Sequence, residues 1–166
     1  QLNAVVSVDD ELAGVVIYAD AARSHAAEAI SGLRDLGLDR MMVLSGDRMA
    51  AVTPIAESVG VSEARGDLLP EEKVKAVHEL LAGGYRVLMV GDGTNDAPAL
   101  SAATVGVAVG SGSGGIATES ADVVLLGDDL RRLPESVAVA RRTLRITRES
   151  IWAGLAMSGT AMVFAA

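Results

Sequence analysis

The chain has 166 residues, half of them apolar and only 2% aromatic, and it carries a net charge of −8. This length suffices for one domain with its own core, and the apolar content excludes a disordered chain. The acidic balance argues against a nucleic-acid partner, and the absence of cysteine excludes disulfides and thiolate metal sites.

Ala, Val, Leu and Gly dominate, which suits small-residue packing of helices on a buried parallel sheet. Gln1 to Val8 lacks a basic region followed by a long apolar core, so no secretory leader is expected there. Ala4–Val8 and Gly14–Tyr18 are β-branched runs separated by Asp9-Asp10-Glu11, a hairpin pattern. Helical spacing begins after Asp20-Ala21-Ala22-Arg23, with Ser24 as the expected N-cap, Ala26, Ile30 and Leu33 on one face, and Gly37 where the helix stops. Met41–Leu44 reads as a buried strand running into Ser45-Gly46-Asp47. Met49, Val52, Ala56 and Val59 repeat at helix spacing up to Gly60, and Pro54 inside that pattern is expected to kink the helix or delay its start, with Thr53 as an alternative cap. A short strand at Glu63–Arg65 precedes Asp67-Leu68-Leu69-Pro70-Glu71-Glu72-Lys73, where the proline and the acidic pair suit a first helical turn. Val74, Val77 and Leu81 continue that helix to Gly83-Gly84.

Val87–Val90 then leads into Gly91-Asp92-Gly93-Thr94-Asn95-Asp96, with Ala97 and Pro98 opening a helix. This is a strand, a tight loop and a helix, with carboxylates at the carboxyl end of the strand, the edge where open α/β sheets bind ligands. Asp92 and Asp96, four residues apart, suit Mg²⁺, which takes one or two carboxylates plus a phosphate and keeps most of its waters. Val105–Val109, a Gly/Ser loop from Gly110 to Gly115, and Val123–Leu126 follow, then a long helix from about Leu130. Strands alternate with helices throughout, so the fold class is α/β with a mostly parallel sheet. Ser150 to Ala166 holds 17 uncharged residues, short of the roughly 20 that span a bilayer. Arg141, Arg142, Arg145 and Arg148 stand just upstream, as on the cytoplasmic side of a membrane helix. A membrane helix cut off partway is the preferred reading, and a C-terminal core helix the alternative.

Three loops thus stand at strand ends: Ser45-Gly46-Asp47, the turn carrying Lys73, and Asp92–Asp96. A phosphoryl-transfer site needs such parts, namely a hydroxyl and N–H groups for phosphate oxygens, a cation, and carboxylates for Mg²⁺. The stretch Gly91 to Leu100 resembles the G-D-G-x-N-D-A-P-A-L motif of the P-type cation-transporting ATPases, a branch of the haloacid dehalogenase superfamily. Ser45-Gly46-Asp47 is similar to their T-G-D, Leu69 to Lys73 to L-P-x-x-K, and Asp20 to Arg23 to the D-x-x-R hinge. Ala121 to Leu125, as A-D-V-V-L, and the compact loops resemble most the heavy-metal branch.

The resemblance implies a Rossmann-like, haloacid-dehalogenase-type parallel sheet with flanking helices, followed by the start of a transmembrane helix. Residues 1–18 would end a nucleotide-binding domain, 19–140 would form the second part of a phosphorylation domain, and 141–166 a basic helix leading into a truncated membrane helix. Ser45, Lys73 and Asn95 would hold the phosphoryl group, Gly46 and Asp47 would support it, Asp92 and Asp96 would bind Mg²⁺, and Asp20 and Arg23 would form the hinge. ATP would be the substrate of the full protein, a multi-pass cell-membrane pump exporting a metal cation with this domain facing the cytoplasm. The family's D-K-T-G nucleophile does not occur in this chain, Arg48 replaces the common Asn after T-G-D, and Gly115 stands where Asp is usual. The chain alone is therefore expected to be inactive, with the upstream part of the same pump as its partner. Two alternatives are a self-contained phosphatase with Asp9 as nucleophile, for which Glu11 is a poor acid–base residue, and a non-catalytic module binding Mg²⁺ or phosphate.

Overall fold

The computed structural model describes residues 2–8, 11–18, 22–92, 95–110 and 119–165. Strands β1 (Leu2–Val8) and β2 (Glu11–Tyr18) pair antiparallel in a two-stranded ribbon of their own, with Leu2 opposite Tyr18. The rest alternates in the order α1 (Ala26–Asp35), β3 (Met42–Leu44), α2 (Met49–Ser58), β4 (Glu63–Arg65), α3 (Pro70–Ala82), β5 (Leu88–Gly91), α4 (Ala97–Ala102), β6 (Val105–Val109), β7 (Val123–Leu125) and α5 (Arg132–Ala165). β3 and β4 pair in parallel, and β5, β6 and β7 form a second parallel sheet in that order. The expected α/β class and parallel pairing are borne out.

β6 is the centre of the core. A strand turns successive side chains to opposite faces, and both faces here are covered. Ala108, fully buried, packs with Val77 of α3 and with Ala99 and Leu100 of α4. Val107 and Val109 face the other way, onto Leu33 of α1, Leu125 of β7 and Leu133 of α5. That double burial is why the strand is a run of small and β-branched residues rather than an alternating one. Gly106 permits the closest approach: a Cβ there would lie 2.6 Å from the Leu100 carbonyl oxygen. Asp122 locks the same residue, accepting the Gly106 N–H at Oδ2 (2.9 Å) and donating its own N–H to the Gly106 carbonyl (2.9 Å).

Two local expectations are corrected. Ser24 does not cap α1; His25 does so in the left-handed region, at φ 65°, with no side-chain cap bond. Pro54 neither delays α2 nor moves its cap to Thr53. The helix starts at Met49 and runs through Pro54, and Thr53 Oγ1 instead donates to the Met49 carbonyl at 2.9 Å. Gly37 ends α1 with φ +77°, and Gly84 follows α3 with φ +82°, both as the stop signals imply. The Asp9-Asp10 turn and the loop residues Ser111 to Gly115 lie outside the described residues.

β3 and β5 share no hydrogen bonds. An apolar cleft of about 580 Å³ lies between them, lined by Met42, Val43 and Leu44 on one side and Leu88, Met89 and Val90 on the other. Arg40 crosses its amino end, lying 4.9 Å from the centre of the Tyr85 ring and donating from Nε and Nη2 to the Glu63 carboxylate at 3.2 Å. α5 is one continuous helix that runs through the arginines, as expected of the long helix from about Leu130. Among the described residues no helix is long and apolar enough to cross a membrane.

Two measurements check this packing. Gly106→Ala should destabilise the fold by about 1–3 kcal/mol through overpacking against backbone. Gly154→Ala, on open helix surface with nothing within 4 Å, should leave stability equal or raised in the same urea titration. Asp129 is held down to about 2, from an ordinary 3.8, by the side chain and then the backbone N–H of Arg131. A lowered carboxylate contributes stability that is complete above its unfolded value and is lost as pH falls through about 2. Carbon NMR titration should show that low midpoint, and Arg131→Ala should return it toward the ordinary range.

Candidate phosphoryl-transfer site

Ser45-Gly46-Asp47 turns off the carboxyl end of β3. The Ser45 N–H still pairs with the Arg65 carbonyl of β4 at 3.0 Å. Its hydroxyl donates to Asp47 Oδ2 (3.0 Å) and accepts the Asp47 N–H (3.1 Å), which closes the turn on itself. A Cβ at Gly46 would come within 3.3 Å of the Leu68 carbonyl, so a side chain there would crowd the next segment.

That next segment ties the serine loop to the lysine helix. The Leu68 N–H donates to the Ser45 carbonyl (3.1 Å) and the Asp67 N–H to the Asp47 carbonyl (2.6 Å). Asp67 Oδ2 accepts the Met49 N–H at 2.9 Å, satisfying an open donor at the start of α2. Asp67 adopts φ +55° to do this, and Gly66 lies so close to Met49 that a Cβ would sit 2.7 Å from its backbone. Asp67 is a positioning residue that the motif reading missed. A Gly-Asp pair signals a turn, but its partner lies 18 positions away and nothing local marks it.

α3 then starts at Pro70, with the Leu69 N–H donating to Glu72 Oε2 at 2.8 Å. Lys73 stands in its first turn, and Nζ donates to Asp96 Oδ1 at 2.7 Å; the two side chains are 13% and 17% exposed. This ion pair joins α3 to the loop after β5. In that loop Gly91 allows Asp96 to fold back, since a Cβ would lie 2.7 Å from Asp96 Oδ2. Asp92 is exposed at the end of β5, and its Oδ1 accepts a long bond from the Asn95 N–H (3.4 Å). Gly93 and Thr94 lie outside the described residues.

The bonds from Ser45 through Leu68, α3 and Lys73 to Asp96 thus gather three of the expected loops at one sheet edge. The arrangement provides a hydroxyl, a lysine and two carboxylates. Among the described residues no three His, Cys, Asp or Glu side chains cluster as a self-sufficient metal site. Asp92 and Asp96 supply two hard oxygen donors, which fit Mg²⁺ when a phosphate oxygen and waters complete the shell. Of the expected hinge, Arg23 pairs loosely with Asp128 at 3.9 Å, both exposed, which contributes little, and Asp20 lies outside the described residues. Asp9 lies outside them too, and the strand before it belongs to the separate antiparallel ribbon, not to the parallel sheets.

The haloacid dehalogenase-like hydrolase family matches residues 1–104. A probable cadmium-transporting ATPase of Listeria monocytogenes is 43% identical over 143 residues, covering 86% of this chain and 20% of that protein. A zinc-exporting P-type ATPase of Mycobacterium marinum is 38% identical, covering 98% of this chain and 22% of that one. A crystal structure of a zinc-transporting PIB-type ATPase in an E2.Pi state superposes with a TM-score of 0.75 at 41% identity, covering 89% of this chain and 24% of that chain. The chain spans about a fifth of the length of the curated relatives it matches. With the parallel α/β fold and the gathered loops, these likenesses place it: the chain belongs to the haloacid dehalogenase-like hydrolases, and its relatives there are heavy-metal-transporting P-type ATPases.

Proposed function

We propose that the chain is the second part of the phosphorylation domain of an ATP-driven membrane pump that exports a heavy-metal cation through an aspartyl phosphate. The observation that carries this reading is the cleft between β3 and β5. It runs along both strands to Leu44 and Val90, next to Ser45 and just short of Asp92. Its two walls are unpaired edges of parallel strands, and its lining is apolar. One further parallel strand, from a longer protein, would pair with both edges and carry an aspartate to the mouth.

In that setting Ser45 and the Gly46 N–H, the loop donor not used by the Ser45 and Asp47 bonds, bind oxygens of the phosphoryl group. Lys73 has three N–H donors and gives one to Asp96, so the others can meet developing negative charge. Asn95 offers its amide to the same group, and Gly46 and Asp47 hold the serine turn. Asp92 and Asp96 hold Mg²⁺, which neutralises phosphate charge when bound. ATP is the phosphoryl donor of the whole protein, and the nucleotide-binding part lies elsewhere in it. Relatives named for cadmium and for zinc match at similar identity, so the cargo is assigned only as a heavy-metal cation. The pump sits in the cell membrane with this domain on the cytoplasmic side, and α5 leads toward the bilayer.

Intact-mass analysis tests this. Residues 1–166 with Mg²⁺ and acetyl phosphate should gain no hydroxylamine-labile phosphoryl group while circular dichroism shows helix and strand. A labile adduct lost in Asp9→Asn would instead establish a self-contained phosphatase. In the longer protein, Lys73→Ala should lower metal-stimulated ATP hydrolysis about 10²–10³-fold, the scale of losing one charge-stabilising donor. Asp96→Asn should also lower the stability of the isolated chain by about 1.5–3 kcal/mol, because it removes the charge from a half-buried ion pair; thermal or urea unfolding would read this. Asp92→Asn should weaken Mg²⁺ binding with little change in stability, since its side chain is exposed.

A further inference from the structure

α5 leaves the body of the protein after Val137. From Ala138 to Phe164 every residue is exposed, a rod of roughly 40 Å at 1.5 Å per residue. The half nearer the body carries Arg141, Arg142, Arg145 and Arg148 against the single carboxylate Glu149, in a chain whose net charge is −8. At 100° per residue, Arg141, Arg145, Arg148 and Trp152 fall within about 60° of one another, and Arg142 stands on the flank. The four line one shallow groove together with Leu144 and Glu149. Arg141 donates to the Leu36 carbonyl after α1, anchoring the stripe to the body. Among the described residues Arg145 and Arg148 have no hydrogen-bond or ion-pair partner. Trp152, the chain's one tryptophan, is 69% exposed, and uncharged residues follow it to the end of the helix.

We propose that the face formed by Arg141, Arg145, Arg148 and Trp152 binds the headgroup phosphates of acidic phospholipids. The order along the helix selects this partner. Cationic side chains come first, an indole sits at the junction, and apolar side chains follow, which matches the layering of headgroup, interface and hydrocarbon. A soluble anion would account for the arginines but leave Trp152 and the apolar run in water. Nucleic acid would do the same and would face an acidic body. The groove rests on the membrane placement proposed above and adds to it a selectivity for lipid charge, fixing which side of α5 meets the leaflet.

Trp152 reports the outcome directly. Titrating residues 1–166 with vesicles of phosphatidylcholine containing phosphatidylglycerol should shift its emission to the blue, at lower lipid than phosphatidylcholine alone requires. Arg145→Gln with Arg148→Gln should weaken binding to the acidic vesicles about 30-fold, or about fivefold per arginine, and leave binding to neutral vesicles unchanged. Arg142→Gln removes the same single charge from the flank and should weaken binding less than Arg145→Gln does. All these positions are exposed, so circular dichroism should be unaltered. Equal binding to both vesicle types, or equal losses from Arg142→Gln and Arg145→Gln, would overturn the headgroup site while leaving the membrane placement standing. Binding to neither would overturn both. An equal emission shift with inorganic phosphate or a DNA duplex would overturn the lipid assignment.

Discussion

The double burial of β6 is the constraint from which the rest of the architecture follows. A strand covered on both faces needs helices on each side, and parallel neighbours joined by helices bring all their carboxyl ends to one edge. α3 and α4 cover the Ala108 face; α1 and α5 cover the face of Val107 and Val109. The loop after β5 therefore emerges next to the amino end of α3, and Lys73 reaches Asp96 across 23 positions of sequence. Small residues make this possible. Gly106 lets the end of α4 touch β6, and Gly91 lets Asp96 fold back toward its own strand.

At that edge Lys73 stands among several carboxylates. Asp47, Asp67 and Asp96 are each held in place, but by different means. Asp47 takes its bond from the Ser45 hydroxyl, Asp67 accepts from the start of α2, and only Asp96 is paired with a full positive charge. Removing two charges from water is costly, and a short, well-aligned bond offsets much of that. The pair also fixes the Lys73 amine in one place, so on the proposed reading a phosphoryl group beside it would meet a donor that needs no reorganisation. Preorganisation of this kind is where most electrostatic stabilisation of a transition state originates.

The fold was legible in the sequence wherever the signal was local or periodic. The apolar runs at Met42–Leu44, Leu88–Gly91 and Val105–Val109 and the stop at Gly37 depend on neighbours within a few residues. So do the Ser45 turn and the Pro70 start, which is why these local features were legible. The failures have different causes. Ser24 looked like a cap, yet the chain enters α1 through a left-handed His25. Pro54 looked like a barrier, yet α2 begins at Met49 because the Asp67 carboxylate, 18 positions on, satisfies its N–H. Asp67 itself could not be ranked as a site residue from its neighbours, since its role exists only once β4 lies beside β3.

The cleft joins a gap in the fold to a gap in the chemistry. β3 has one paired edge and β5 has one, and half-buried apolar side chains such as Val43 and Val90 line the cleft between them. Unpaired strand edges and uncovered apolar surface both invite a further strand. Among the described residues at the site are a hydroxyl, a lysine and two carboxylates, which on the proposed reading would hold phosphate or cation. On the proposed reading the phosphoryl acceptor would come from the inserted strand. A strand seated in the cleft would satisfy the open backbone groups of β3 and β5, cover the half-buried Val43 and Val90, and deliver its last side chain between the serine turn and the acidic loop. Stability and reactivity would then come from the same insertion: the Lys73–Asp96 pair already in place would stand beside the atom to be phosphorylated.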